Sequence, residues 1–198
     1  PLSREDRAMS GDASQKRPAS KNQSRHHKTQ NGRRLYAALD LGTNNCRLLI
    51  VERDGGNGFR VRDGFSRIVR LGEGLERTGK LSEDAMARTI AALRICAGKI
   101  RRAGISRMRC VATEACRGAD NGDAFIKRVK RETGLRLEII DGKAEAELAA
   151  IGCGSLFNPD VDDIILFDIG GGSTEVSRMS RQENNFFKLV DSDSLPLG

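Results

Sequence analysis

Two stretches of the chain carry acids and glycines at matched spacing. Asp40-Leu41-Gly42-Thr43-Asn44-Asn45-Cys46-Arg47 is echoed 128 residues later by Asp168-Ile169-Gly170-Gly171-Gly172-Ser173-Thr174-Glu175. In each copy an apolar run (35–39 or 164–167) delivers an aspartate, an apolar residue and a glycine, then small polar residues and a second strand-like run. Such a loop turns tightly and aims successive backbone N–H groups at a phosphate. An aspartate at the strand end can hold a divalent metal or orient water. Facing each other, the two loops would clamp a phosphoanhydride. A plain β-turn, using Gly42 for its backbone angle and Asp40 for a local hydrogen bond, is the simpler account of the first loop. The second loop resists that account. Three consecutive glycines forfeit conformational entropy that an ordinary turn keeps, and close approach of backbone to ligand explains them better.

These residues need a scaffold, and the pattern predicts one. Strands are expected to Asp40, over 46–53 and over 59–69, with the turn 54–58 closing a hairpin. Ser82 is a fitting N-cap, with Glu83 and Asp84 in the first turn of a helix. Met86, Ile90, Leu93, Ala97 and Ile100 follow at helical spacing, and Gly104 supplies the stop. A strand over 107–112, a helix over 121–133, a strand over 135–140 and a helix over 143–153 come next. Asn158-Pro159 then punctuates the connection to the strand ending at Asp168. The order βββαβαβα followed by a new hairpin is that of an α/β, ribonuclease H-like lobe with a mixed sheet, then the start of a second similar lobe. The expected divisions are a tail over 1–34, a first lobe over 35–155 and an incomplete second lobe over 156–198.

Composition separates the tail from the rest. Residues 1–34 hold only Leu2 and Met9 as large apolar side chains, which predicts disorder. They carry nine basic and three acidic residues, leaving 25 basic and 24 acidic residues beyond, so the net +7 belongs almost wholly to the tail. A basic tail attracts polyanions loosely or is merely a solvated extension. With no Trp and only Tyr36, no specific nucleic-acid surface is expected. Five scattered cysteines without a CxxC pair argue for reduced thiols and a cytoplasmic protein rather than a zinc site or disulfide framework. No apolar run approaches the ~20 residues that span a bilayer, and the tail lacks the apolar segment of a secretory signal.

Four segments in order, Asp40 to Arg47, Ala112-Thr-Glu-Ala-Cys-Arg117, Ile139-Ile-Asp-Gly-Lys-Ala-Glu145-Ala and Asp168 to Glu175, make the resemblance specific. From about Tyr36 to Gly198 the chain resembles the exopolyphosphatase / guanosine pentaphosphate phosphohydrolase (Ppx/GppA) family, within the actin-like ATPase, sugar kinase and Hsp70 fold group. The resemblance implies Mg²⁺-dependent hydrolysis of terminal phosphoanhydride bonds in polyphosphate or pppGpp. It implies that Glu145 is the catalytic base, that Arg117 contacts phosphate and that Asp168 serves both catalysis and the metal. Gly42, Thr43, Asn44, Asn45, Gly170, Gly171, Gly172 and Ser173 would bind phosphate, and Asp40, Asp168 and Glu175 the metal. The chain departs from the family pattern in two places. It reads Thr43-Asn44-Asn45 where Ser-Asn-Ser is common, and Ala144 stands where the first of two glutamates is usual, which bears on water positioning or metal affinity.

The chemistry fits these roles, because phosphoryl transfer asks mainly for positioning and charge neutralisation. Alone, Glu145 would read as an ordinary first-turn glutamate and Arg117 as a solvated arginine. The basic run Lys99, Arg101, Arg102, Arg107 and Arg109 is expected on an exposed helix end and the turn after it, a candidate polyphosphate track. Two other functions share the motifs: an ATP-dependent kinase of the same fold group, and a non-catalytic module that binds polyphosphate or nucleotide. Lacking most of a second lobe, residues 1–198 by themselves are expected to be poorly active and marginally stable, and the full-length protein to be a homodimer.

Overall fold

A computed structural model describes residues 34–54, 58–158, 160–183, 187–195 and 197. The predicted disorder of the basic tail and the tip of the first hairpin turn fall outside the described residues. All those described lie in one compact unit, 33–198. Strands β1 (Leu35–Leu41), β2 (Asn45–Arg53) and β3 (Phe59–Ile68) form an antiparallel meander. A short helix α1 (Leu75–Thr78) and the long helix α2 (Glu83–Arg102) follow. Strand β4 (Arg107–Ala112) then returns parallel to β1. Helices α3 (Glu114–Arg117) and α4 (Gly122–Thr133) lead to a two-residue strand β5 (Glu138–Ile139), completing a mixed sheet in the order β3-β2-β1-β4-β5. Helix α5 (Gly142–Cys153) passes to a second sheet, β6-β7-β8 (Asp163–Ile169, Thr174–Arg181, Phe187–Leu195).

Alternation along the strands decides the faces. Leu39 and Leu41 of β1 and Leu48 and Ile50 of β2 point to one side and meet Ile90 and Leu93 of α2 and Phe125 and Val129 of α4, all buried. The five α2 residues singled out by their spacing are all in this core. The Ser82 hydroxyl caps the helix, accepting from Ala85 N at 3.2 Å, and Gly104 beyond its end has φ +65°. In the second sheet one face, with Met179 and Ser177, is buried toward α5. On the other face Ile165, Phe167 and Ile169 stand 53%, 62% and 76% exposed.

Two features differ from the sequence expectation. The strand expected over 135–140 pairs only at Glu138 and Ile139, because β4, its sole neighbour, ends at Ala112. Helices α1 and α3 went unpredicted, since four residues are too short to show periodicity. Asn121, at the N-cap position of α4, donates no cap. Its amide instead clamps the backbone of Leu81, accepting from Leu81 N at 2.8 Å and donating to Leu81 O at 3.0 Å.

The elbow between α3 and α4 closes on Gly122, where a Cβ would run into the Cys116 carbonyl backbone. Gly122→Ala is expected to lower stability by about 1–3 kcal/mol. A urea titration should show a lower midpoint at unchanged slope.

Candidate active site

The two aspartate hairpins have the same construction. In the first, Gly42 N donates to Asn45 O at 2.9 Å; in the second, Gly170 N donates to Ser173 O at 2.8 Å. What differs is the residue across the ladder. Asp40 is paired with Arg47, whereas Asp168 is paired with Glu175. One hairpin therefore presents an acid beside a base, and the other presents two acids.

No glycine in either loop takes a left-handed φ; among the described residues those that do are Gly74, Gly79, Gly104 and Gly134. The turn-angle account of Gly42 therefore fails. A Cβ at Gly42 would come no nearer than 3.7 Å to another protein atom, so packing within the chain does not demand glycine there either. Space is the issue in the second loop. A Cβ at Gly171 would run into the Asn44 side chain, and one at Gly172 would lie 3.1 Å from Thr43 Oγ1. The two loops touch, and they touch at glycines.

Between them stands an arginine-centred cluster. Arg117, at the end of α3, donates to Glu114 Oε2 at 2.5 Å, to Ile140 O at 2.6 Å and to Glu145 Oε2 at 3.3 Å. Glu145 lies in the first turn of α5, whose N-cap Asp141 accepts from Ala144 N at 2.8 Å. Because Ala144 carries no carboxylate, Glu145 is the acidic residue of that first turn. Burial pushes the Glu145 carboxyl above its ordinary range; the Arg117 hydrogen bond opposes this, and the negative charge of Glu175 adds to it. Burial likewise raises Asp40, with Arg47 lowering it and Asp168 raising it.

A cavity of about 260 Å³ collects these groups. Its wall includes Asp40, Gly42, Thr43, Asn44, Asn45, Arg47, Glu145, Asp168, Gly170, Gly171 and Ser173. Of the residues named from sequence, Arg117 is set back behind Glu145 and Glu114. Glu175 is 2% exposed and accepts from Ser194 Oγ at 3.0 Å. Thr113, Glu114 and Arg47 line the cavity without having been assigned a role, although each lies inside a quoted motif. Their signal was present: Arg47 closes the first loop motif, and Thr113-Glu114 precede Arg117.

The donor set suits a hard divalent cation. The negative charge of Asp168 is near enough to raise the Asp40 carboxyl, and the surrounding side chains offer hydroxyl and amide oxygens. Among the described residues no three acidic, His or Cys side chains form a closed metal cage. An ion held by one or two carboxylates together with water and substrate oxygens needs none.

Fold and site together define a class, an actin-like, ribonuclease H-like α/β fold with two aspartate–glycine hairpins meeting over a small polar cavity. Within that class the chain belongs to the Ppx/GppA phosphatase family, whose sequence model matches residues 49–198. It is 40% identical over 148 residues to a bifunctional 3-dehydroquinate synthase/phosphatase of Fusobacterium nucleatum, a match covering 71% of this chain and 22% of that protein. It is 35% identical over 142 residues to a guanosine-5'-triphosphate,3'-diphosphate pyrophosphatase of Photobacterium profundum, covering 72% and 28%. The crystal structure of a Ppx/GppA family member from Aquifex aeolicus aligns with a TM-score of 0.71 at 32% identity, over 84% of this chain and 52% of that one. The chain thus spans about a quarter of these curated relatives and about half of the solved structure. No helix among the described residues is long and apolar enough to cross a membrane.

The contact between the loops is open to test. Gly171→Val should force Asn44 away and weaken binding of tripolyphosphate by roughly tenfold, about 1.4 kcal/mol. Isothermal titration of the intact protein would read the loss.

Proposed function

We propose that the intact protein hydrolyses the terminal phosphoanhydride bond of inorganic polyphosphate or guanosine pentaphosphate by direct attack of water. One observation carries the reading: Glu145, fixed by Arg117, reaches the wall of the cavity that both phosphate loops line. The loop N–H groups and the Thr43 and Ser173 hydroxyls would hold the terminal phosphate, with the Arg47 charge near its oxygens. Glu145 would orient a water at the terminal phosphorus and take its proton. The new bond forms between water oxygen and phosphorus, and the bond to the bridging oxygen breaks. The leaving phosphate chain is a weak base and needs no protonation. Mg²⁺ held by Asp40 and Asp168 would neutralise charge on the phosphate oxygens. Glu175, buried beside Asp168, would keep the neighbouring carboxylate and Ser194 in place rather than reach the substrate.

Arg117 then acts through Glu145. Its hydrogen bond favours the ionised carboxylate, opposing the effect of burial, and fixes which oxygen faces the cavity. Arg117 is thus a positioning residue, with Glu114 holding its other side.

Two measurements test the reading on the full-length protein. Glu145→Gln should cut phosphate release by about 10²–10⁴-fold while polyphosphate binding persists. Turnover undiminished in that variant would sink the assignment, and ADP formation dependent on an acceptor would point to a kinase instead. The second is a pH profile. Because Glu145 must be ionised to act, kcat/KM should fall on acidification with a midpoint above the ~4.3 of an ordinary glutamate. Arg117→Met removes the interaction that lowers the Glu145 pKa, so the acid limb should move to higher pH.

A further inference from the structure

Thr113 lines the phosphate cavity, and the proposed reaction gives it no task. It follows the last residue of β4, opens α3 and is 6% exposed. Its backbone is held from both sides. The Thr113 N–H donates to Leu41 O at the end of β1, 3.1 Å away, and its carbonyl accepts from Cys116 N at 3.0 Å and Arg117 N at 3.1 Å. One residue thus ties the strand that carries Asp40 to the helical turn that carries Arg117.

Its hydroxyl is used differently from those of the threonines inside helices. Thr78, Thr89 and Thr133 each spend theirs on the carbonyl four residues back, at 2.8–2.9 Å. Thr113 stands at the N-cap position of α3, where a threonine hydroxyl ordinarily accepts from the first turn, yet it makes no such cap. A hydroxyl in so buried a residue is costly to leave without a partner. The partner here is the Glu145 carboxylate, whose ionised form the hydrogen bond favours. The contact has a simple geometric origin. Thr113 and Arg117 are four residues apart across one helical turn, the spacing that brings two side chains to the same face. Glu145 is the carboxylate that both reach.

We propose that Thr113 is a second positioning residue for Glu145, holding the plane of the carboxylate while Arg117 holds one of its oxygens. The inference rests on the phosphoanhydride reading of the site and deepens it, by naming what aims the base. A carboxylate tethered at a single oxygen still turns about the last side-chain bond, because that torsion is broad and roughly two-fold. Arg117 bonds one oxygen, Oε2, at 3.3 Å. A second donor removes the rotation. The lone pair that takes the proton then points at one place in the cavity, where a water beside the terminal phosphate would stand. Misplacing a reacting group by about 1 Å costs on the order of 10²-fold in rate. Because the Thr113 backbone is bonded to Leu41, the base is registered to the first loop as well as to α3.

The test uses the full-length protein with polyphosphate. Thr113→Val keeps the branched shape and removes the hydroxyl. Its kcat should fall about 10- to 100-fold, while KM and the affinity for tripolyphosphate stay within about twofold of wild type. Thr113→Ser, which keeps the hydroxyl, should recover most of the loss. In the Glu145→Gln background Thr113→Val should cost nothing further, because the group it aims is already gone. A purely structural threonine would lower turnover to the same degree in both backgrounds, and that result would overturn the role. So would an unchanged kcat in Thr113→Val, or a Thr113→Ser variant just as impaired. Urea titration reads the fold of each variant; should Thr113→Val unfold, Thr113→Ala is compared with Thr113→Ser in its place. A wild-type protein that releases no phosphate removes the hydrolase reading itself, whereas an active protein indifferent to Thr113→Val removes only the role of Thr113.

Discussion

The candidate site depends on one guanidinium. Arg117 ties the end of β5, through Ile140 O, to α3, through Glu114, and to α5, through Glu145. These are three of the elements that lie between the first loop and the second. A planar donor with five N–H groups can satisfy all three acceptors at once, which a lysine cannot do in fixed geometry. Without it, the half-buried carboxylates of Glu114 and Glu145 would be left without that counter-charge, a costly state for partly desolvated groups. The same bonds that hold the backbone thus hold the base.

Around that clamp the fold repeats itself and then diverges. The two hairpins share the Gly-to-i+3 loop bond and the aspartate at the strand end. The cross-strand neighbour is where they part, Arg47 in one and Glu175 in the other. The first hairpin is therefore nearly charge-neutral at its tip, and the second is strongly acidic. In the proposed reaction the first wall would admit a phosphate without repelling it, and the second would attract a cation. A substrate that arrives as a metal–phosphate complex suits both.

Much of this was legible in the sequence because it is periodic or local. The α2 stripe, its Ser82 cap and both hairpins depend on side chains within a few positions of each other, and all form as expected. The edge strand was over-read because a run that alternates correctly still needs a partner, and β4 gives β5 only two residues of one. Arg117 was expected on a phosphate, yet its fork is filled by acceptors from Ile140 and Glu145, 23 and 28 residues further along the chain. Gly171 was read as a place where backbone closely approaches a ligand. What comes close is first Asn44 of the other loop, a contact that only the folded chain defines.

That contact joins residues 127 positions apart, and every other part of the cavity lies between or beside them. The meander of the first lobe closes through neighbouring strands, which is entropically cheap and fast. The touch of Asn44 on Gly171 closes one of the longest loops in the fold, and closing a loop of that length costs more entropy than closing a hairpin. The cavity therefore depends on the most distant contacts along the chain. A ligand that bridges the two loops binds only the finished state and shifts the folding equilibrium toward it. Binding across the two loops and completing the fold would then draw on a single free energy.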